Sequence, residues 1–352
     1  MNWKEGFRQP GVPAALGAAF LFGAGTPLAK WLLDDVNPWL LAGLLYFGSG
    51  TGLALYRRVI RAPAVNLLKN DWPWFVGAIL AGGIVGPVLL MVGLTTMSAS
   101  AASLLLNAES VFTALLAWFA FKENFDRRIA LGMIAIVAGA VILSWPREVR
   151  LTVFWPTLAI LGACFAWGID NNLTRKVSFT DATWIASVKG LVSGVVNLAL
   201  AFALGATLPA VPLVAGAMLV GLLAYGVSLT LFVVALRHLG AARTGAYFSI
   251  APFFGALLAV LMGEPVTRQL LMAGALMALG LWLHLTERHE HPHSHEALLH
   301  VHEHVHDEHH QHEHDHPAPP GSSHSHQHQH HPMTHKHPHY PDTHHQHTHE
   351  QM

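Results

Sequence analysis

Residues 17–30 read GAAFLFGAGTPLAK, and residues 162–175 repeat this pattern as GACFAWGIDNNLTR. At an offset of 145 residues both copies share two glycines, a phenylalanine and a leucine, and each copy ends on a Lys or an Arg. A second pair of stretches, SVFTALLA at 110–117 and PFFGALLA at 252–259, follows in the same order at an offset of 142 residues. The chain of 352 residues therefore contains an internal duplication.

The repeated stretches lie within a series of apolar segments. The chain is 52% hydrophobic, and nearly all of its apolar residues precede residue 287. A membrane-spanning helix needs about 20 mostly apolar residues. Ten segments in this region approach that length: 11–33, 38–56, 72–94, 100–121, 129–145, 154–174, 183–204, 211–236, 244–262 and 268–286. Because so many apolar segments leave no polar faces for water, they predict an all-α integral membrane protein rather than a soluble helical one.

The number of segments per copy determines how the two copies are related. Five helices is an odd number, so the second copy must enter the membrane from the side opposite to the first. Inverted repeats of this kind are typical of secondary transporters, which bind substrate near the bilayer midplane. We predict ten transmembrane helices in two inverted five-helix repeats, at residues 11–145 and 152–286. Fourteen Lys and Arg on one side against three on the other place both termini, including residues 1–10, in the cytoplasm.

Short motifs occur in a fixed order along both halves. They are PLAK at 27–30, SASAAS at 98–103, NAESVF at 107–112, KE at 122–123, APFFGA at 251–256 and GE at 263–264. With ten segments in two groups of five, residues 11–286 resemble the EamA-type branch of the drug/metabolite transporter (DMT) superfamily. The resemblance implies a multi-pass transporter of the inner (plasma) membrane that moves small polar metabolites such as amino acids, sugars and nucleotide sugars, or drugs.

Polar side chains inside the predicted helices are the candidates for a substrate site. A charge at the bilayer centre costs about 2.5–3.5 kcal/mol, so each one requires a partner or a function. Glu109 lies near the midplane and is expected either to bind a substrate amine or a coupling proton, or to make a structural hydrogen bond. Asp170 and Lys189 are expected at similar depth, as a salt bridge between adjacent helices or as an inner gate or carboxylate site. The remaining substrate-binding candidates are Asn107, Trp167, Asn171, Tyr225 and Tyr247.

Residues 287–352 differ completely from the rest of the chain. They contain 25 of the 27 histidines, mostly as His-x-His, and ten acidic residues. Such a composition cannot bury a core, so we predict a disordered cytoplasmic tail. Neutral imidazole binds Zn²⁺, Ni²⁺, Co²⁺ and Cu²⁺, whereas the body requires no cofactor. The predicted metal ligands are His291, His293, His295, His302, His304, His306, His312, His314 and His316.

Three functions remain open from the sequence. In the first, the body exports a small polar metabolite or drug by alternating access, around a cavity lined by segments 1, 3, 4, 6, 8 and 9. In the second, it exports a divalent metal captured by the tail, although Glu109 and Asp170 are expected on separate helices at different depths. In the third, the protein is a membrane metal buffer or sensor that transports nothing.

Two classes are excluded, and one property is left open. An enzyme is excluded because the body has no nucleophile–base pair, phosphate loop or metal motif. A nucleic-acid binder is excluded because the chain has no basic patch. The single cysteine, Cys164, allows neither an intrachain disulfide nor a thiolate metal site. The expected partners are the lipid bilayer, a small-molecule substrate and divalent metal ions, and formation of a homodimer stays open.

Overall fold

The computed structural model describes residues 11–65, 67–120, 127–144, 154–178, 180–285, 290–295, 299–304, 324–329 and 333–338. The chain divides into two compact units, Met1–Glu287 and Arg288–Met352. The described residues of the first unit form helices and their connections, and those of the second form short strands.

The helices of the first half follow the predicted segments closely. They are α1 (Gly11–Leu32), α2 (Pro38–Val59), α3 (Trp72–Ala78), α4 (Gly86–Leu94), α5 (Ala99–Leu105), α6 (Ala108–Phe119) and α7 (Arg127–Ser144). Their ends follow local sequence. Asn37 caps α2 by accepting a hydrogen bond from the amide of Trp39, and the Ser98 hydroxyl accepts one from the amide of Ala101 at the start of α5.

The second half repeats this order of helices. It contains α8 (Phe154–Lys176), α9 (Ala182–Ala203), α10 (Val211–Gly221), α11 (Ser228–Phe248), α12 (Ala251–Leu261) and α13 (Arg268–Leu285). Within the described residues, six spans are long and apolar enough to cross a membrane: Gly11–Leu32, Pro38–Val59, Trp72–Leu94, Ala99–Leu116, Ala182–Ala203 and Val211–Leu239. Shorter apolar helices occupy Ala130–Leu143, Ala251–Leu261 and Arg268–Leu283. A multi-pass membrane protein is consistent with these helices, whereas the count of ten spans stays a prediction.

One π-helix interrupts the third span of each half. One, Ile79–Val85, joins α3 to α4, and the other, Leu222–Val227, joins α10 to α11. They begin 143 residues apart, which is close to the offset of the sequence repeat. A π-turn widens the helix and is frequent at functional sites. Interrupted helices at matching positions of two halves are the feature that most directly indicates a transporter binding site.

The two halves pack on each other reciprocally. Helix α1 packs against α11, and the counterparts of this pair, α8 and α4, pack in the same way. Helix α2 packs against its own counterpart α9, and α7 against α13. Glycines permit the close approach of α2 and α9, because a Cβ on Gly190 would lie 2.6 Å from the backbone nitrogen of Gly50. Such reciprocal contacts arise when two similar halves are related by a twofold axis.

The outer surfaces of the helices are apolar. Leu131, Ile134, Val137 and Val141 follow one face of α7 and are 47–65% exposed. Soluble proteins rarely expose continuous apolar surfaces of this kind, and lipid covers them in a membrane protein. This surface supports the assignment of the first unit to a membrane.

The second unit contains two antiparallel strand pairs. Strand β1 (Glu290–His295) pairs with β4 (Met333–Pro338), and β2 (Leu299–His304) pairs with β3 (His324–Gln329). The predicted disorder is therefore not confirmed for these residues. The His-x-His pattern has a period of two residues, which is also the side-chain period of a strand.

Candidate functional site

A cavity of about 50 Å³ lies between the two halves. A space of this size holds only a few water molecules. The lining side chains come from α1, α2, α6, α8, α9 and α11 and from the second π-helix. They are Phe22, Tyr46, Glu109, Trp167, Asp170, Asn171, Lys189, Ala224, Tyr225, Ser228, Leu229, Phe232 and Phe248.

Glu109 projects from the first turn of α6, directly after a break in the fourth span. Helix α5 ends at Leu105 and α6 begins at Ala108, and the Ser110 hydroxyl donates to the carbonyl of Asn107 across this break. Glu109 is 9% exposed, and its Oε1 accepts a hydrogen bond of 2.8 Å from Asn171 Nδ2. Among the described residues no basic side chain forms an ion pair with this carboxylate.

Asp170 lies one residue before Asn171 and has very different partners. The Lys189 ammonium donates to both of its carboxylate oxygens, and the Thr174 hydroxyl donates to Oδ1 over 2.9 Å. Asp170 and Lys189 are 5% and 2% exposed. The predicted salt bridge between adjacent helices is therefore confirmed. A side chain on Gly82 would overlap the Asp170 carboxylate, so the first π-helix needs glycine here.

The first π-helix supplies a hydrogen-bond acceptor next to the cavity. The carbonyl of Gly82 accepts a bond of 2.8 Å from the Tyr46 hydroxyl and one of 2.9 Å from Trp167 Nε1. Two aromatic side chains from different halves therefore meet at one backbone oxygen. Their polar atoms are satisfied by this carbonyl, and their rings remain as lining of the cavity.

The aromatic rings of the cavity form one connected group. Phe22 makes edge contacts with Trp167 and Tyr225, with ring centroids 5.7 and 5.8 Å apart. The group continues from Tyr225 to Tyr46 at 5.2 Å, from Phe22 to Phe248 at 5.1 Å and from Phe248 to Phe232 at 4.8 Å. Six rings thus surround the polar part of the cavity.

Six of the eight predicted substrate-binding residues line this cavity: Glu109, Trp167, Asp170, Asn171, Lys189 and Tyr225. The other two lie elsewhere. Asn107 is buried behind the cavity, where its amide donates to the carbonyl of Leu104, and Tyr247 packs against the cluster that includes Val12 and Leu239.

Two sequence-based expectations about this cavity are corrected by the geometry. Glu109 and Asp170 were expected at different depths, but both line the same space, because Asn171 adjoins Asp170 on α8 and bonds to Glu109. Segment 2, which was not expected to contribute, supplies Tyr46. Segment 3 was expected to line the cavity, but no residue of 72–94 is in the lining, and its Gly82 carbonyl instead accepts from Tyr46.

The sequence analysis also missed four aromatic residues of the lining: Phe22, Tyr46, Phe232 and Phe248. Tyr46 could have been recognised as a candidate from the sequence, because a phenol in the middle of an apolar span needs a polar partner. Nothing in the pattern of the three phenylalanines distinguishes them from those that face outward, such as Phe20.

The predicted metal ligands are described only in part. His306, His312, His314 and His316 lie outside the described residues, and His291, His293, His295, His302 and His304 lie on β1 and β2. In the backbone register His291 is opposite His337 and His302 is opposite His326. No group of three or more His, Cys, Asp or Glu that could hold a metal ion is found among the described residues. Metal binding by the tail stays a prediction.

Comparisons with known proteins agree with the helical architecture. The sequence model of the EamA-like transporter family matches residues 9–145 and 154–286. An uncharacterized transporter of Methanothermobacter thermautotrophicus is 27% identical, over 78% of this chain and 85% of that protein. A probable 4-amino-4-deoxy-L-arabinose-phosphoundecaprenol flippase subunit ArnE of Pseudomonas fluorescens is 31% identical over 81 residues, which are 23% of this chain and 68% of that protein. A solved crystal structure with 17% identity has a TM-score of 0.62 and covers 78% of this chain and 96% of its own, which indicates a shared fold.

Proposed function

Because the chain belongs to the EamA-like transporter family, and so to the DMT superfamily, we propose that it exports a small polar metabolite or drug across the inner membrane by alternating access. The observation that carries this proposal is the cavity between two reciprocally packed halves, with Glu109 in its lining. The excess of Lys and Arg at one end of the helices supports an orientation with both termini in the cytoplasm. No part of the proposal requires catalysis by the protein.

Alternating access requires contacts that close one end of the cavity and can be broken. At the end where α1 finishes, the Glu264 carboxylate accepts hydrogen bonds of 2.6 and 2.8 Å from the amides of Ala99 and Ser100. Beside them, Lys30 Nζ donates to the carbonyl of Leu94 over 2.6 Å. A carboxylate at a helix N-terminus and an ammonium at a helix C-terminus are both favourable electrostatically. We infer that these contacts hold this end closed and separate when the cavity opens there.

The test is transport by cells that express the full chain, Glu109→Gln or Asp181→Asn at equal abundance in the membrane. Asp181→Asn is the matched control, since it also exchanges a carboxylate for an amide but lies at the start of α9, away from the cavity. Export of metabolites from a panel of amino acids, sugars and drugs is measured. We expect Asp181→Asn to export at the wild-type rate and Glu109→Gln to export nothing. Export by Glu109→Gln at the wild-type rate would falsify the role of this cavity.

Metal efflux rests on the histidine-rich tail, and the same cells test it. Accumulation of radiolabelled Zn²⁺ and Ni²⁺ is compared for the full chain, a chain truncated after Thr286, and Glu109→Gln. If only the full chain lowers accumulation, the substrate is a metal and the tail belongs to the pathway. If truncation changes metal retention and Glu109→Gln does not, the tail is a passive metal-binding segment.

A further inference from the structure

The charges that line the cavity do not balance. Asp170 and Lys189 neutralise each other through two hydrogen bonds. Glu109 remains, and its hydrogen-bond partner is the neutral amide of Asn171. A buried carboxylate without a counter-ion is unfavourable, and a positively charged ligand removes that cost. The cavity is therefore electrostatically complementary to a cation and repels an anion.

The walls of the cavity identify the kind of cation. Six connected aromatic rings accompany the Glu109 carboxylate, and the faces of such rings attract ammonium groups. A bare metal ion needs several oxygen, nitrogen or sulfur ligands, and no group of three or more His, Cys, Asp or Glu is gathered among the described residues of the body. In a substituted ammonium, carbon substituents surround the charged nitrogen, and these substituents can contact aromatic rings.

Three polar side chains of the lining already donate hydrogen bonds to backbone carbonyls. The Tyr46 hydroxyl and Trp167 Nε1 donate to the carbonyl of Gly82. The Ser228 hydroxyl donates to the carbonyl of Ala18 over 2.8 Å. A sugar would require donors that these three side chains already use, so the charge of Glu109 favours an organic cation over a sugar.

We propose that the cavity is a binding site for organic cations, in which Glu109 pairs with a substituted ammonium group and the rings of Phe22, Trp167 and Tyr225 contact its carbon substituents. This inference rests on the proposed transport function and specifies its substrate class. Because the cavity holds only a few water molecules in this conformation, the two halves must move apart to accommodate the cation.

The test begins with binding rather than transport. The purified full chain in lipid nanodiscs is titrated calorimetrically with choline, benzyltrimethylammonium, the uncharged choline isostere 3,3-dimethyl-1-butanol, and benzoate. The two cations are expected to bind at least about tenfold more tightly than the isostere, since one charge-assisted contact distinguishes them. Benzoate is expected not to bind. This comparison uses the unmodified protein and does not depend on the folding of any variant.

Variants then locate the site. Glu109→Gln is expected to weaken binding of benzyltrimethylammonium at least about tenfold, and Trp167→Leu about three- to tenfold. Phe165→Leu is the matched control, because Phe165 lies on the same helix, is 45% exposed and does not line the cavity. It is expected to bind benzyltrimethylammonium with wild-type affinity.

The outcomes separate this inference from the proposed function. Equal affinity for choline and its isostere, absence of cation binding, or wild-type binding by Glu109→Gln overturns the organic-cation site. If the protein transports an uncharged or anionic metabolite while any of these results is obtained, the proposed transport function stands and only the organic-cation site is rejected. If cations bind through Glu109 but no compound crosses the membrane of proteoliposomes, the site stands and the transport function fails.

Discussion

The cavity contains two carboxyl groups that lie on opposite halves of the protein and differ in their partners. Asp170, on α8, is held by the Lys189 ammonium and the Thr174 hydroxyl. Glu109, on α6, is held by the amide of Asn171. Both side chains are buried, so burial alone does not distinguish them. The difference indicates that the Asp170 pair stabilises the contact between helices, whereas the partner of Glu109 is a neutral amide.

The largest expected effect comes from removing one partner of the pair. Lys189→Met leaves Asp170 as an unpaired buried carboxylate, and we expect a loss of about 3–5 kcal/mol in the free energy of unfolding. Denaturant unfolding in mixed micelles measures it. The double variant Asp170→Asn/Lys189→Met carries no charge and is expected to regain most of that stability. If the double variant is as unstable as the single one, packing rather than charge holds these helices together.

The contact between the first π-helix and Asp170 can be broken without changing any charge. A methyl group at Gly82→Ala would meet the Asp170 carboxylate, and we expect a loss of about 1–3 kcal/mol together with slower transport. Gly216→Ala is the matched control, since nothing lies within 4 Å of its added carbon. Helix propensity predicts a gain of about 0.5–1 kcal/mol for that control. Equal effects of the two substitutions would contradict the assigned contact.

Neutralising Glu109 is expected to change the free energy of unfolding far less than removing the lysine partner of Asp170. Glu109→Gln retains an oxygen that can accept from Asn171, so we expect the free energy of unfolding to change by no more than about 1 kcal/mol. The same unfolding assay measures this, beside the binding assay in which Glu109→Gln is expected to fail. A stability loss as large as that of Lys189→Met would remove the distinction between the two carboxyl groups.

A second ion pair, at the end of the helices, provides the smallest effect. Arg57 donates to Asp181 over 2.6 Å, and the Asp181 side chain is 35% exposed. Burial raises the pKa of Asp181, but hydrogen bonds from Thr183, the Trp184 amide and Arg57 outweigh it and lower the pKa below its ordinary value. Asp181→Asn keeps the helix cap, and we expect a loss of about 0.2–1 kcal/mol at neutral pH.

The direction of the pKa shift of Asp181 determines how the stability lost in Asp181→Asn depends on pH. A carboxyl group with a lowered pKa in the folded state contributes stability above its unfolded pKa of about 3.9. The contribution disappears as the pH falls through the lower, folded value. Unfolding midpoints of the wild type and of Asp181→Asn should therefore converge as the pH is lowered from neutrality into this acidic range. Midpoints that diverge on acidification would show that the pair does not stabilise the charged form.

Much of the membrane unit followed from the order of apolar segments. The repeat of residues 17–30 at 162–175 located two related halves, and the interrupted third helices lie at matching positions in both. The Asp170–Lys189 pair was predictable, because two opposite charges at similar depth in adjacent helices must meet. The π-helices themselves were not, since a single extra residue per turn leaves no mark in hydropathy.

The histidine-rich tail shows how one pattern permits two structures. Its composition predicts disorder, because it cannot bury an apolar core. The alternation of histidine with other residues nevertheless has strand periodicity, and β1 to β4 form where this alternation is regular. Composition alone does not decide between these states when the backbone can pair with itself.

The sequence by itself determined the duplication, the family, and which polar residues enter the apolar helices, because each of these depends on residue types and their order. Only the tertiary structure decided which of those residues share one cavity. A helix position is related to its neighbours by 100° of rotation, and small changes in helix orientation exchange a lining residue for a lipid-facing one. For that reason Phe22 and Tyr46 line the cavity with Glu109, whereas Tyr247 does not. The grouping of aromatic rings around this carboxyl group arises only when the two halves pack together.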